Sequence, residues 1–126
     1  MEYIQTTNAP AAIGPYSQAI VSGELVYTSG QIALKPDGTL VENDVKKQTR
    51  QVFENLRHVL EAAGSSVEQV IKVNIFLDNM DDFGLVNVLF AEFFGDHKPA
   101  RSTVAVQTLP KRVLIEIDVV AKATNF

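Results

Sequence analysis

The chain has 126 residues, and its 11 Lys and Arg against 15 Asp and Glu give a formal charge of −4. Hydrophobic residues at 46% and charged residues at 21% fit a globular domain and exclude disorder, which needs fewer apolar residues or a larger net charge. With no Cys there is no disulfide frame, thiolate metal site or cysteine nucleophile, and His58 and His97 lie too far apart to announce a zinc site. The acidic balance argues against a nucleic-acid surface, which gathers Lys and Arg; Lys46-Lys47 and Lys111-Arg112 are the only basic pairs.

Met1-Glu2-Tyr3 is polar and no basic stretch leads into an apolar run, so the expected setting is the cytosol. The apolar runs are shorter than the roughly 20 residues that cross a bilayer, so no membrane partner is expected. No linker, repeat or low-complexity stretch divides the sequence, and one domain is expected over residues 1–126.

Residues 2–5 allow a short first strand. Residues 17–22 and 25–29 read as strands around a Gly23-Glu24 turn. A helix opens at Asn43 or Asp44 and closes at Gly64, with Val45, Thr49, Val52, Phe53, Leu56, Val59, Leu60 and Ala63 on its apolar stripe. Residues 69–77 form a strand rich in β-branched side chains. A second helix runs from Asp81 or Asp82 to Gly95, with Phe83, Val86, Phe90, Phe93 and Phe94 as its stripe and Asn87 set among them. Residues 102–107 and 113–121 read as a second hairpin around Leu109-Pro110-Lys111-Arg112.

The order predicts an α+β fold with a mixed or antiparallel sheet. One face of residues 113–121 is apolar (Ile115, Ile117, Val119, Ala121), and in residues 69–77 so is the set Ile71, Val73, Ile75 and Leu77. These faces are expected to meet the helices. The opposite faces mix apolar and charged residues, and no remaining element covers them, which favours a second subunit over plain solvent.

The chemically informative residues are polar ones in apolar settings. Glu116 between Ile115 and Ile117 is a half-buried carboxylate in need of a partner. Asp118 shares its face, and two such carboxylates raise the proton affinity of one, as an acid or base requires. Arg101 has the shape to grip a carboxylate through two parallel hydrogen bonds. The expected hairpin brings Arg101 and Thr103 toward Glu116, either as a substrate site or as a salt bridge that holds the sheet. Asn87 is expected to be buried and hydrogen-bonded. Gly14-Pro15-Tyr16-Ser17-Gln18 and Thr28-Ser29-Gly30-Gln31 place turns beside hydroxyls, and Gly30 allows a close approach to the main chain. No Ser-His-Asp array, P-loop, dinucleotide fingerprint or metal motif is present.

These fragments together resemble the RidA family, also called the YjgF family of enamine/imine deaminases. The likeness covers essentially the whole chain and is most specific at Pro99-Ala100-Arg101-Ser102-Thr103-Val104 and Ile115-Glu116-Ile117. It implies a chorismate-mutase-like sheet backed by two helices, in a homotrimer with a central barrel and ligand clefts between subunits. It implies hydrolysis of 2-aminoacrylate, 2-iminopropanoate and 2-iminobutanoate to 2-oxo acids and ammonia, which protects pyridoxal-phosphate enzymes. By the resemblance Arg101 binds the substrate carboxylate, with the backbone at Thr103 and Gly30 adding hydrogen bonds. Glu116 activates water and passes a proton to the departing ammonia, while Tyr16, Ser29 and Asn87 shape the cleft. No metal, cofactor or covalent nucleophile is required.

Many deaminase members carry Cys where this chain has Thr103, a change that bears on substrate preference more than on the reaction. The segment Gly95-Asp96-His97-Lys98 is short beside some members, with His97 expected at the surface. A non-catalytic sensor of 2-oxo acids or a regulatory partner is the alternative reading. Ribonuclease or translation inhibition, attributed to some relatives, is disfavoured by the net charge of −4.

Overall fold

The computed structural model describes residues 1–123; the last three residues of the expected domain lie outside them. Eight main elements follow in the order β1 (Glu2–Ile4), β2 (Ala19–Ser22), β3 (Leu25–Thr28), α1 (Val45–Ala62), β4 (Val70–Leu77), α2 (Phe83–Phe94), β5 (Ala100–Ala105) and β6 (Ile115–Lys122).

Local chemistry fixes both ends of α1. The Asp44 carboxylate accepts the Lys47 N–H at 3.0 Å. At the other end Gly64 takes a φ of 77°, its N–H reaches Glu61 O, and Ser65 N–H reaches Leu60 O, the paired bonds of a Schellman cap. The predicted stripe is buried from Thr49 onward, with Val45 partly buried at its start, together with two amides, Gln48 and Asn55.

The strands form one six-stranded sheet in the order β1-β2-β3-β6-β4-β5. All neighbours are antiparallel except β4 and β5. This corrects the expected hairpin between residues 102–107 and 113–121. Because α2 connects β4 to β5, the chain makes a crossover and β5 lies parallel to β4. β6 then inserts on the far side of β4, between β4 and β3. The segment read as a hairpin turn crosses between them as a 3-10 turn at Pro110–Arg112, with Lys111 and Arg112 at positive φ. Its flanking Leu109 and Val113 are buried with Ile32 and Leu34 in a small second core.

The main core lies between α1, α2 and one sheet face. Val73, Ile75 and Leu77 of β4 and Ile115, Ile117, Val119 and Ala121 of β6 pack there with Val52, Phe53, Leu56, Val59 and Leu60. Phe53 stacks on Phe93 at 4.4 Å between ring centroids. Two expectations are corrected. A register shift between Val70 and Lys72 buries Val70 and leaves Ile71 48% exposed. On α2, Leu89 joins the buried stripe while Asn87 is exposed.

The second sheet face carries Tyr27, Asn74, Phe76, Val104, Glu116 and Asp118. Tyr27 and Val104 are nearly half exposed there. Among the described residues no helix is long and apolar enough to cross a membrane.

Candidate functional site

The predicted site residues fall into two groups. The first surrounds Glu116 at a cavity of about 420 Å³, lined on its apolar side by Ile32, Leu34 and Pro110 and on its polar side by Tyr16, Ser29 and Gly30. Backbone bonds in both directions between Gln31 and Ile117 bring the segment after β3 against β6. Gly30 thereby meets the Glu116 side chain: a Cβ at position 30 would lie 2.8 Å from Glu116 Cδ and nearer still to one carboxylate oxygen. Only glycine leaves room for the carboxylate in this place.

The loop over the cavity is tied down by Gln18, which is 2% exposed. Its Oε1 accepts Thr6 N–H at 2.7 Å, and its Nε2 donates to Thr6 O and Pro10 O. Ser29 donates its hydroxyl to Ser17 O at 2.5 Å and its N–H to Gln18 O at 2.9 Å. Tyr16 is half exposed, and its hydroxyl oxygen accepts Ile13 N–H at 3.3 Å, so its own proton remains available to a ligand.

Burial holds the Glu116 carboxyl above the usual carboxylate range, and the charge of Asp118 adds to the effect. The sequence expectation that these carboxylates interact is met. Asp118 is itself engaged by Asn74, whose Nδ2 donates to Oδ1 at 2.8 Å.

The second group surrounds Arg101. Its Nη1 donates to Asn87 Oδ1 at 2.7 Å, and its guanidinium carbon stands 4.7 Å from the Phe90 ring centroid and 5.4 Å from that of Phe83. Residues 83, 87 and 90 share one face of α2, so three side chains of one helix hold the guanidinium by stacking and a hydrogen bond. An adjoining cavity, also about 420 Å³, is lined by Asn87, Phe90, His97, Lys98 and Arg101.

β5 is an edge strand. Val106 N–H bonds to Leu77 O, so the alternate residues Arg101, Thr103 and Ala105 turn their backbone N–H and C=O toward the open edge. The Thr103 hydroxyl points inward, buried and without a hydrogen-bond partner. His97 is half-buried rather than at the surface: its Nε2 contacts Val70 O at 2.5 Å and pins the loop before β5 to the bulge of β4.

Arg101 and Glu116 do not meet within one chain. β4 lies between their strands, Arg101 is level with Val73 on the helix side, and Glu116 is level with Phe76 on the open side. The expectation that a hairpin juxtaposes them, or lets them form a salt bridge, is therefore overturned. Asn87 also bonds to Arg101 from an exposed position rather than from the core. Sequence reasoning missed Phe83 and Phe90 as the seat of Arg101, because aromatic residues at helical spacing read as core. It also missed Asn55, whose Nδ2 holds Leu34 O at 2.8 Å and fixes the segment after Gly30 on α1. Among the described residues no group of three or more His, Cys, Asp or Glu side chains is placed to hold a metal ion.

The α+β fold places one cluster of polar side chains, around Glu116, on the open face of its sheet and another, around Arg101, on the helix face. The chain belongs to the family described as Endoribonuclease L-PSP, the RidA/YjgF family, whose model matches residues 6–123. It is 53% identical over 121 residues to a RutC family protein of Pyrococcus horikoshii, covering 95% of this chain and 96% of that one. It is 46% identical over 121 residues to the 2-iminobutanoate/2-iminopropanoate deaminase of Salmonella typhimurium, covering 94% of each. It is also 46% identical over 126 residues to a Lactococcus lactis protein provisionally named the regulator AldR, covering 99% of this chain and all of that one. Among solved structures, a Rid family protein of unknown function from Yersinia pestis superposes with a TM-score of 0.95 at 49% identity, covering 97% of this chain and 98% of that one.

Proposed function

We propose that this protein hydrolyses reactive enamine and imine acids to 2-oxo acids and ammonia, with 2-iminopropanoate, its enamine tautomer 2-aminoacrylate, and 2-iminobutanoate as substrates. We infer that it does so as a homotrimer with a central barrel, in clefts where the Arg101 edge of one copy faces the Glu116 cavity of the next. The observation that carries this reading is the split of the site. One chain holds the Arg101 guanidinium, seated on α2, and on the opposite sheet face the half-buried Glu116 carboxyl, separated by β4.

An imino acid presents a carboxylate and an electrophilic C=N carbon. Arg101 keeps part of its guanidinium free of Asn87 and grips the carboxylate, with the outward Thr103 N–H beside it. Glu116, as carboxylate, takes a proton from water while the water oxygen bonds to the imine carbon and the C=N pair moves to nitrogen. Glu116 then returns a proton to nitrogen. Glu116 next relays the hydroxyl proton to the amino nitrogen as the C–N bond breaks, so that the oxygen becomes the carbonyl and the nitrogen leaves as ammonia. Imine carbons are reactive toward water, so orientation and proton transfer suffice without a covalent intermediate. Removal of such imines protects pyridoxal-phosphate enzymes, and the cytosol is the setting that belongs to this proposal.

The test is to generate 2-aminoacrylate with a dehydratase and follow pyruvate release. Wild type is expected to accelerate release over buffer, and Arg101→Ala and Glu116→Gln to lose the acceleration. Equal rates for wild type, Arg101→Ala and no protein refute the reading. The regulator-like name of the Lactococcus lactis relative favours one alternative, a non-catalytic 2-oxo-acid sensor using the same residues. Tight calorimetric binding of 2-oxobutyrate without turnover selects it.

A further inference from the structure

Glu116 and Asp118 stand two residues apart on the open face of β6, about 7 Å along the strand. Their surroundings differ. Glu116 lies between Phe76 on β4 and Gly30, neither of which offers it a proton. Asp118 lies opposite Asn74, a neutral donor that satisfies one of its oxygens. The pair is therefore asymmetric in its hydrogen bonding, with Asn74 donating to Asp118.

The other charged groups around Glu116 point elsewhere. Lys72, on the same face of β4, donates to Ser102 Oγ on β5, the strand farther from β6. β3 contributes the uncharged Leu25 and Tyr27 to this face and the cavity loop Tyr16; Lys122 shares the face but stands at the far, exposed end of β6, and Lys111 and Arg112 of the preceding turn are exposed. Burial and Asp118 are the influences that act on Glu116.

We propose that Asp118, two residues from Glu116 on the same strand face and fixed in place by Asn74, is a positioning residue that governs proton transfer at Glu116. This rests on the deaminase reading above. In that reading a neighbouring copy brings the Arg101 guanidinium to the cleft, and a positive charge there would keep Glu116 ionised and make it a weak base. The fixed negative charge of Asp118 opposes it and leaves Glu116 able both to accept and to return a proton. Asn74 and Asp118 as a simple cross-strand pair would only hold the sheet together.

The test combines two readouts on the full chain. The Glu116 carboxyl is titrated by carbon-13 NMR, assigned with Glu116→Gln, in wild type, Asp118→Asn and Asp118→Glu. The pH profile of kcat/KM for 2-aminoacrylate hydrolysis is measured on the same proteins. In Asp118→Asn, which keeps an acceptor for Asn74, the Glu116 midpoint is expected to fall by about half a pH unit or more. The acid limb of the rate profile moves down with it, and Asp118→Glu restores both. Asp118→Ser gives the same reading if the amide variant does not fold. An unmoved midpoint, or a rate loss uniform across pH, overturns the assignment. Absence of wild-type turnover alongside a shifted midpoint overturns the deaminase reading alone, with the coupling intact.

Discussion

Arg101 and Glu116 occupy opposite faces of one sheet, and β4 runs between the strands that carry them. Two defective chains should therefore complement each other if the cleft forms between copies. Arg101→Ala retains Glu116, and Glu116→Gln retains Arg101. Mixed, unfolded and refolded together in equal amounts, they are expected to recover up to about a quarter of wild-type pyruvate release, because one cleft in four pairs two intact halves. Each variant refolded alone stays inactive. No recovery from the mixture contradicts a shared cleft.

Much of the architecture was legible because burial imposes a period on the sequence. The alternation from Ile115 to Ala121 and the stripe from Val45 to Ala63 follow from one-sided contact with the core. What periodicity does not encode is which strand sits beside which. Leu109-Pro110-Lys111-Arg112 carries turn chemistry, and that chemistry serves a 3-10 turn in a crossing loop as well as a hairpin. Pairing then depends on α2, whose crossover makes β5 parallel to β4. The same strand order separated Arg101 from Glu116, although both residues were legible. The aromatic seat of Arg101 was hidden because Phe83 and Phe90 have the spacing of core residues.

At Gly30 the backbone packs directly against the Glu116 side chain. A methyl group there must displace the Glu116 carboxylate, a flexible side-chain end rather than backbone. Gly30→Ala is expected to fold with nearly unchanged thermal stability and to lose about 100-fold in kcat, as a misplacement near 1 Å does. Circular dichroism melting beside the pyruvate assay checks this. Full activity would show that Glu116 is not held at this spot during turnover.

Glu116 also makes stability depend on pH. Burial raises its carboxyl above the unfolded value, so the folded chain binds the proton more tightly than the unfolded one. Stability from this group is therefore lost as pH rises through the window between the unfolded and the folded midpoints, and the loss persists above it. Glu116→Gln removes the buried charge and is expected to unfold at higher denaturant than wild type at pH 7. The gain is about a few tenths of a kcal/mol, since the half-exposed carboxylate remains partly solvated. Below the unfolded carboxylate range the difference should vanish, which denaturant curves at pH 3.5 and pH 7 compare directly.

In the proposed reaction, the hold on Arg101 separates binding from chemistry. Asn87 fixes one guanidinium nitrogen while Phe83 and Phe90 stack on its plane. Asn87→Ala leaves the charge in place but lets the side chain rotate, so a carboxylate meets a guanidinium that must first be ordered. The expected result is a KM for 2-aminoacrylate-type substrates raised about 10-fold with kcat reduced less, because Glu116 and its water are untouched. A fall in kcat with KM unchanged would instead assign Asn87 to the reacting end of the substrate.

Thr49 tests the packing of α1 apart from the residues that line either cavity. It is fully buried in α1, and its hydroxyl has no hydrogen-bond partner. A buried hydroxyl left unpaired forfeits its hydration without return. Thr49→Val keeps the shape and replaces the hydroxyl with a methyl group suited to a fully buried position. Stability should rise by about 1 kcal/mol, read as a shift in the urea midpoint with an unchanged slope, and pyruvate release should stay at the wild-type rate. A loss of stability would mean that the hydroxyl is satisfied in solution, by a water between α1 and its neighbours.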